Sequence, residues 1–309
     1  MGFAAAFYDT GAFLPGTLGA YITCACLVIA WLNLSNDAWV RPRPHVTAIL
    51  SPTLNSHCPQ DAETSVDVAK TESVVRLTGS LPAVHNLAAS CLLLGGGGLA
   101  ALALSSPPGA AATILPLLAA ALLCGVLYQA PPFRWSYKGL GEPLCFIAFG
   151  PLATCAFYLA AASAGVGQTA LGLASVSPAA VVASLLVGCT TTAILFCSHF
   201  HQEATDKAAG KQSPIVRLGT ARAAQALRLG VLATFALATA ASLSGLLPLP
   251  VACAALLAAP VAKTLIRFVG TNHGDPSVVF KAKFFATRWH ASTGLLLTLS
   301  FAAARLLTR

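Results

Sequence analysis

The sequence predicts an all-α integral membrane protein, and three observations predict it. The 309 residues are 56% hydrophobic, with a mean hydropathy of +0.75. Only 9% are charged, where a soluble globular domain carries roughly 25%. The apolar residues fall into runs close to the roughly 20 that an α-helix needs to cross a bilayer. Polar connections separate these runs and hold nearly every charge. The reading is one domain over residues 1–309, built from about eight spanning helices.

The chain opens on MGFAAAFY, which reads as the end of a helix whose beginning lies upstream. The spans then follow at 12–34, 84–104, 110–128, 143–163, 177–198, 229–245, 248–266 and 290–307. The pair at 229–245 and 248–266 is divided only by the turn at Pro248–Pro250. Charge supports this count. The connections 35–83, 129–142, 199–228 and 267–289 carry almost all Lys, Arg, Asp and Glu, whereas 105–109, 164–176 and Pro248–Pro250 carry none. Eight helices put the two sets on opposite faces, and a miscount would mix them. The positive-inside rule then assigns the basic face to the cytoplasm-equivalent side. The net charge of +8 belongs to those loops.

Several function classes are excluded. No basic soluble domain or base-stacking module is present, so a nucleic-acid partner is not expected. The lipid bilayer is the expected surrounding. The ten cysteines contain no C-x-x-C pair, which argues against zinc. Nine of them lie in or at the edges of helices and read as small apolar side chains; Cys58 alone sits in a polar loop. No signal or transit peptide is visible at the N-terminus. Nothing in the pattern specifies an oligomeric state.

The most informative stretch is SHFHQEATDKAAGKQSPIVRLG, residues 198–219, which follows an almost purely apolar run. A polar cluster at the mouth of a hydrophobic segment is costly near lipid and marks a functional site. Two of the charged connections are acidic enough to hold a metal. The first carries Asn36, Asp37, Asp61, Glu63 and Asp67; the third carries Glu203 and Asp206. These are hard oxygen donors suited to Mg²⁺, which takes few carboxylates together with water and phosphate oxygens. The same connections supply cations: Lys70 and Arg76, then Arg134 and Lys138, then Lys207, Lys211 and Arg217. Singly, each reads as a membrane-face anchor. Together, acids and bases at one face fit a metal-bridged diphosphate.

Three stretches resemble a known family. They are IAWLNLSND (29–37) with its continuation DAETSVDVAKTESVVRLTG (61–79), YQAPPFRWSYKGLGEPLCFIAFGPLA (128–153) and FCSHFHQEATDKAAGKQSPIVRLG (196–219). A weaker fourth is NHGDPSVVFKAKFFATRWHA (272–291). The chain resembles the UbiA superfamily of intramembrane prenyltransferases, and within it the branch acting on 1,4-dihydroxy-2-naphthoate in phylloquinone synthesis. The resemblance implies a bundle of nine helices, the first truncated here, with two Asp-rich motifs for Mg²⁺ and prenyl diphosphate. It also implies a chloroplast envelope or thylakoid membrane.

In the first motif, Asn36 and Asp37 match the start, and Asp61 and Asp67 match the later acids once residues 40–60 are skipped. Asn36 and Asp61 would then stand four apart on one helix face. Ser65 stands where many relatives carry Asp. In the second motif Gln202 replaces the first acid and Asp206 is the second, with Glu203 beside them. His199 and His201 are assigned to the aromatic acid, and Gln202, which offers an oxygen but no charge, to substrate binding. Segment 40–60 is foreign to the pattern: its prolines break helical periodicity. It begins with Val40 and ends with Gln60, whose codons can supply the GT and AG of a retained intron.

The implied reaction is Mg²⁺-assisted electrophilic alkylation, with loss of CO₂ and diphosphate. Lys70, Arg134, Lys138, Lys211 and Arg217 would neutralise the leaving charge. Tyr128 and Tyr137 would face the allylic cation with their rings, or serve only as interfacial belt residues. Prenylation of another ring, homogentisate or a chlorophyllide, stays open, as does an inactive form with a disrupted first motif. A transporter is disfavoured, because neither mid-membrane charges nor inverted repeats are evident.

Overall fold

The computed structural model describes residues 1–39, 74–166 and 172–307. Every regular element among them is helical: α1 (Gly2–Thr10), α2 (Pro15–Trp39), α3 (Val74–Thr78), α4 (Leu81–Leu104) and α5 (Pro108–Gln129). After a 3₁₀ turn at Trp135–Lys138 come α6 (Gly141–Ile147), a π-helical segment (Ala148–Thr154) and α7 (Cys155–Val166). They are followed by α8 (Pro178–Ser198), α9 (Glu203–Ala208), α10 (Pro214–Leu218) and α11 (Thr220–Leu243). The chain ends with α12 (Leu249–Leu257), α13 (Ala259–Asn272), α14 (Pro276–Val279) and α15 (Ala282–Leu307). Eight helical stretches of the described residues are long and apolar enough to span a bilayer. The all-α membrane bundle expected from composition is what forms. Residues 40–60, including the anomalous segment, lie outside the described residues.

Each helix starts where the backbone allows it. Ser80, Ser177 and Ser213 accept hydrogen bonds from the N–H groups of Ala83, Ala180 and Val216, and a proline occupies the first turn after each. This pairs an oxygen with an otherwise orphaned donor and places the missing proline N–H where none is needed. Lipid faces the exposed leucines, such as Leu93, Leu229 and Leu299. Inside, Tyr21, Ile114, Leu159, Leu186, Leu297 and Phe301 pack in one core cluster. A second cluster joins Cys197, Phe200, Ile215, Leu265 and Trp289.

Several boundaries differ from the expected spans, as at the start of α11 and α15 and within 248–266. α11 begins at Thr220 rather than near 229 because its buried stripe Ala223, Leu227, Val231, Thr234 keeps helical spacing across Arg222 and Arg228. Both arginines are exposed, and their long stems let the charge reach the interface. α15 likewise starts at Ala282, eight residues before the expected span. The expected span 248–266 is two helices, α12 and α13, broken at Ala258 just before Pro260. Pro151 also interrupts the 143–163 span; the helix there widens to π register, and Thr154 Oγ1 donates to the Phe149 carbonyl (2.9 Å). A proline ring and a lost N–H favour such local widening.

Glycines set the closest approaches. A Cβ on Gly95 would lie 2.8 Å from the Cys24 carbonyl oxygen, so α4 meets α2 backbone to backbone. Without a hydrophobic force between helices in lipid, small residues that permit such contact hold bundles together.

The charged connections meet at one end of the bundle. At the polar end, Gln129 Nε2 donates to Ser35 Oγ (2.5 Å), tying α5 to α2. His273 Nδ1 meets Thr220 Oγ1 at 3.1 Å, which links the connection before α14 to the start of α11. Asp275 caps α14 by accepting from the Ser277 N–H and hydroxyl, and these bonds hold its carboxyl below the usual range.

Candidate active site

The polar end is assembled from three connections. At the C-terminal end of α2, Asn36 is exposed, and Asp37 Oδ2 accepts from the Val75 N–H (3.0 Å). That contact caps α3 from outside and ties it to the end of α2. Asp61, Asp67 and Lys70 lie outside the described residues, as does the Arg76 side chain.

The second connection folds onto the third. Arg134 adopts a left-handed backbone (φ 41°), and its guanidinium lies 5.5 Å from the Tyr137 ring centroid. Ser136 Oγ donates to the Tyr128 carbonyl (2.6 Å), which turns Trp135–Lys138 back over the end of α5. Gln212 N–H donates to the Tyr137 carbonyl (2.8 Å), and Arg217 Nη2 donates to the Lys138 carbonyl (2.6 Å). One guanidinium arm of Arg217 is therefore a tie between connections, a role its sequence position did not announce. Arg217 and the Lys138 side chain are both exposed at this face.

Gly139 is what lets these connections meet. It has φ +76°, and a Cβ there would lie 2.5 Å from the Gln212 carbonyl oxygen and 2.8 Å from Arg217 Cζ. Left-handed backbone with a Cβ costs about 1–2 kcal/mol before any clash. Gly139→Ala should therefore part the two connections and lower kcat/KM by about 10- to 100-fold, the scale set by small misplacements of reacting groups. Steady-state kinetics on detergent-purified protein checks it. Unchanged kinetics would mean the docking is not required for turnover.

The third connection carries the densest chemistry. α8 ends at Ser198, and Phe200, fully buried, anchors the following turn beneath the surface. His199 is 3% exposed, and its Nδ1 lies 3.0 Å from Glu142 Oε1 on α6. Glu142 is itself buried. Its position in the GLGE stretch was visible in the sequence, but its partner 57 residues away was not. His201 and Gln202 sit beside each other, their side-chain nitrogens 3.4 Å apart, and Glu203 opens α9, half-buried.

Asp206 is buried. Its Oδ1 accepts from Lys211 Nζ at 3.2 Å, and the same ammonium stands 3.0 Å from Oδ2 at an angle that makes no hydrogen bond. Tyr128 lies within electrostatic range of Glu142, Asp206 and Tyr137. The bundle thus gathers Tyr128, Tyr137, Glu142, His199, Asp206 and Lys211 into one cluster, and Gln129–Ser35 joins it to the α2 end that bears Asn36 and Asp37.

The donor set fits a magnesium ion. Asp206 Oδ2, 3.0 Å from the Lys211 ammonium, accepts no hydrogen bond, so this hard oxygen keeps a lone pair to offer a divalent cation. Among the described residues no three His, Cys, Asp or Glu converge.

Comparison with known proteins places the chain in a family. The UbiA prenyltransferase family model matches residues 55–289. The chain is 39% identical over 305 residues to the chloroplastic 2-carboxy-1,4-naphthoquinone phytyltransferase of Arabidopsis thaliana, covering 99% of this chain and 72% of that protein. It is 35% identical over 306 residues to the 2-carboxy-1,4-naphthoquinone phytyltransferase of Synechocystis, covering 99% and 88%. No solved structure matches. A family match across three-quarters of the chain, with two relatives along nearly all of it, makes this chain a membrane prenyltransferase of the UbiA family.

Proposed function

We propose that the protein transfers a phytyl or related polyprenyl group from its diphosphate to 1,4-dihydroxy-2-naphthoate, releasing diphosphate and CO₂, in a chloroplast membrane. The observation that carries this is the buried Asp206 carboxylate beside the Lys211 ammonium, with Arg134, Lys138 and Arg217 on the two connections that dock there, at the polar end of an apolar bundle. The naphthoquinone phytyltransferase names of both relatives support the acceptor class, and the chloroplastic relative supports the location. The cations match a leaving diphosphate, and the apolar helices match an isoprenoid tail.

Asn36, Asp37, Glu203 and Asp206, with Asp61 and Asp67 of the first motif, would hold magnesium. When bound, that ion supplies Lewis-acid stabilisation of the departing diphosphate charge. Lys211, Lys138, Arg134 and Arg217, with Lys70, receive the diphosphate oxygens, a preorganised stabilisation that strengthens as the C–O bond opens. Tyr128 faces the allylic cation with its ring; the Tyr137 ring is already covered by Arg134. His199, His201 and Gln202 bind the aromatic acid.

The test is prenylation of 1,4-dihydroxy-2-naphthoate with phytyl diphosphate by membranes carrying this chain, or a form lacking residues 40–60. We expect product from the shortened form, abolished by EDTA and restored by Mg²⁺, and less product from the full chain. No product from either form, or product that survives EDTA, overturns the reading.

A further inference from the structure

From the Glu142–His199 contact, we infer that Glu142 is a positioning residue that orients His199 so that its Nε2 accepts the hydroxyl proton of the aromatic acceptor. This rests on the prenyl-transfer reading above and deepens it. The two side chains come from α6 and from the turn that caps α8, lie 3.0 Å apart and are 10% and 4% exposed. Burying an acid and an imidazole at a membrane face is costly, and such groups mark function by default. A carboxylate only accepts hydrogen bonds, so Nδ1 carries the proton in this contact. In the neutral form of such a ring the lone pair is on Nε2, the nitrogen on the side away from Glu142. A carboxylate behind a histidine fixes both its tautomer and its ring plane.

The surroundings decide which substrate this nitrogen meets. Lys211, engaged with Asp206, and Arg217 lie farther along the connection that starts at His199, and Arg134 and Lys138 lie on the one that ends at Glu142. Diphosphate, an anion with no proton to give, belongs with those cations. Glu142 would repel it from the His199 side. A ring hydroxyl is the complementary partner: it donates, and it becomes electron-rich as its proton moves.

The step balances as follows. The ring hydroxyl proton passes to Nε2 as the ring carbon that bears the carboxylate bonds to C1 of the prenyl group. The C1–O bond breaks and its electron pair leaves with diphosphate. The acceptor carboxylate departs as CO₂, returning its bonding pair to the ring, and the proton goes back from Nε2 to the ring oxygen.

Three forms of the chain test this with phytyl diphosphate and 1,4-dihydroxy-2-naphthoate: wild type, Glu142→Gln and His199→Asn. Asn places an amide N–H where Nδ1–H was, so it keeps the buried bond to Glu142 and lacks Nε2. His199→Asn should fold normally and lose kcat by at least about 100-fold, the scale of a general base. Glu142→Gln keeps shape but releases the tautomer, and should lose kcat by about 10- to 100-fold. In both variants KM for phytyl diphosphate should stay within twofold of wild type. His199→Asn with wild-type kcat would reduce the pair to a structural contact and overturn the inference. So would a selective rise in KM for the diphosphate. A wild-type chain that makes no product overturns the prenyl-transfer reading itself, a different result from an active wild type with active variants.

Discussion

Asp206→Ala should lower prenyl transfer by about a thousandfold, the scale of losing one preorganised charge-stabilising group in a dry site. Asp206 is buried, its Oδ2 accepts no hydrogen bond, and Lys211 stands 3.0 Å away. Removing the carboxylate strips one hard ligand from the proposed magnesium site and leaves a half-buried ammonium without its partner. The second effect is structural, since breaking a buried pair by deleting one member costs about 3–5 kcal/mol at full burial. Asp206→Asn separates the two, because it keeps an oxygen and the side-chain volume but no charge. Asp206→Asn should fold like wild type, lose most activity, and need a higher Mg²⁺ concentration for half-maximal rate. Lys211→Met is the complementary control: it should weaken use of prenyl diphosphate while leaving the Mg²⁺ requirement in place. Wild-type metal dependence in Asp206→Asn would remove Asp206 from the metal site.

What could be read without the structure follows from what each signal depends on. Hydropathy and charge depend on composition alone, so the eight spans and the gathering of charge at one end were legible. Family spacing located Asp206, His199 and Lys211. Helix starts were not legible at Thr220 and Ala282, because Arg222, Arg228, Lys283 and Arg288 depress local hydropathy although their stems let the helix run on through the interface. Glu142 stood in a quoted motif, yet its meaning is tertiary: only the crossing of α6 and α8 sets it against His199. Arg217 read as a phosphate-binding cation, and the Lys138 carbonyl that takes one of its donors is again a partner no local pattern reveals. Gly139 gave no signal at all, since its left-handed backbone and its closeness to Gln212 exist only once two connections have docked.

The same crossing of α6 and α8 carries the second large effect. A Cβ on Gly150 would lie 2.8 Å from the Ser184 carbonyl oxygen and 3.0 Å from the Gly188 Cα. One on Gly188 would lie 2.8 Å from the Phe146 ring and 3.0 Å from its carbonyl oxygen. At Gly150 the obstacles are backbone atoms, which cannot rotate away, so the helices themselves must part. Gly150→Ala should cost about 1–3 kcal/mol by overpacking, and Gly188→Leu more, seen as a lower thermal midpoint and yield in detergent. Gly230 is the control: it is helical, and nothing lies within 4 Å of its added Cβ. Gly230→Ala should be neutral or stabilising, because alanine is the better helix former by about 1 kcal/mol. Equal midpoints for Gly150→Ala and Gly230→Ala would remove close packing from the account. The expected loss also reaches the chemistry. Glu142 lies about two turns from Gly150 on one helix, and His199 caps the other. Helices forced apart at the glycines should lengthen the 3.0 Å Glu142–His199 contact, so Gly150→Ala protein that still folds should turn over more slowly than its stability alone would require.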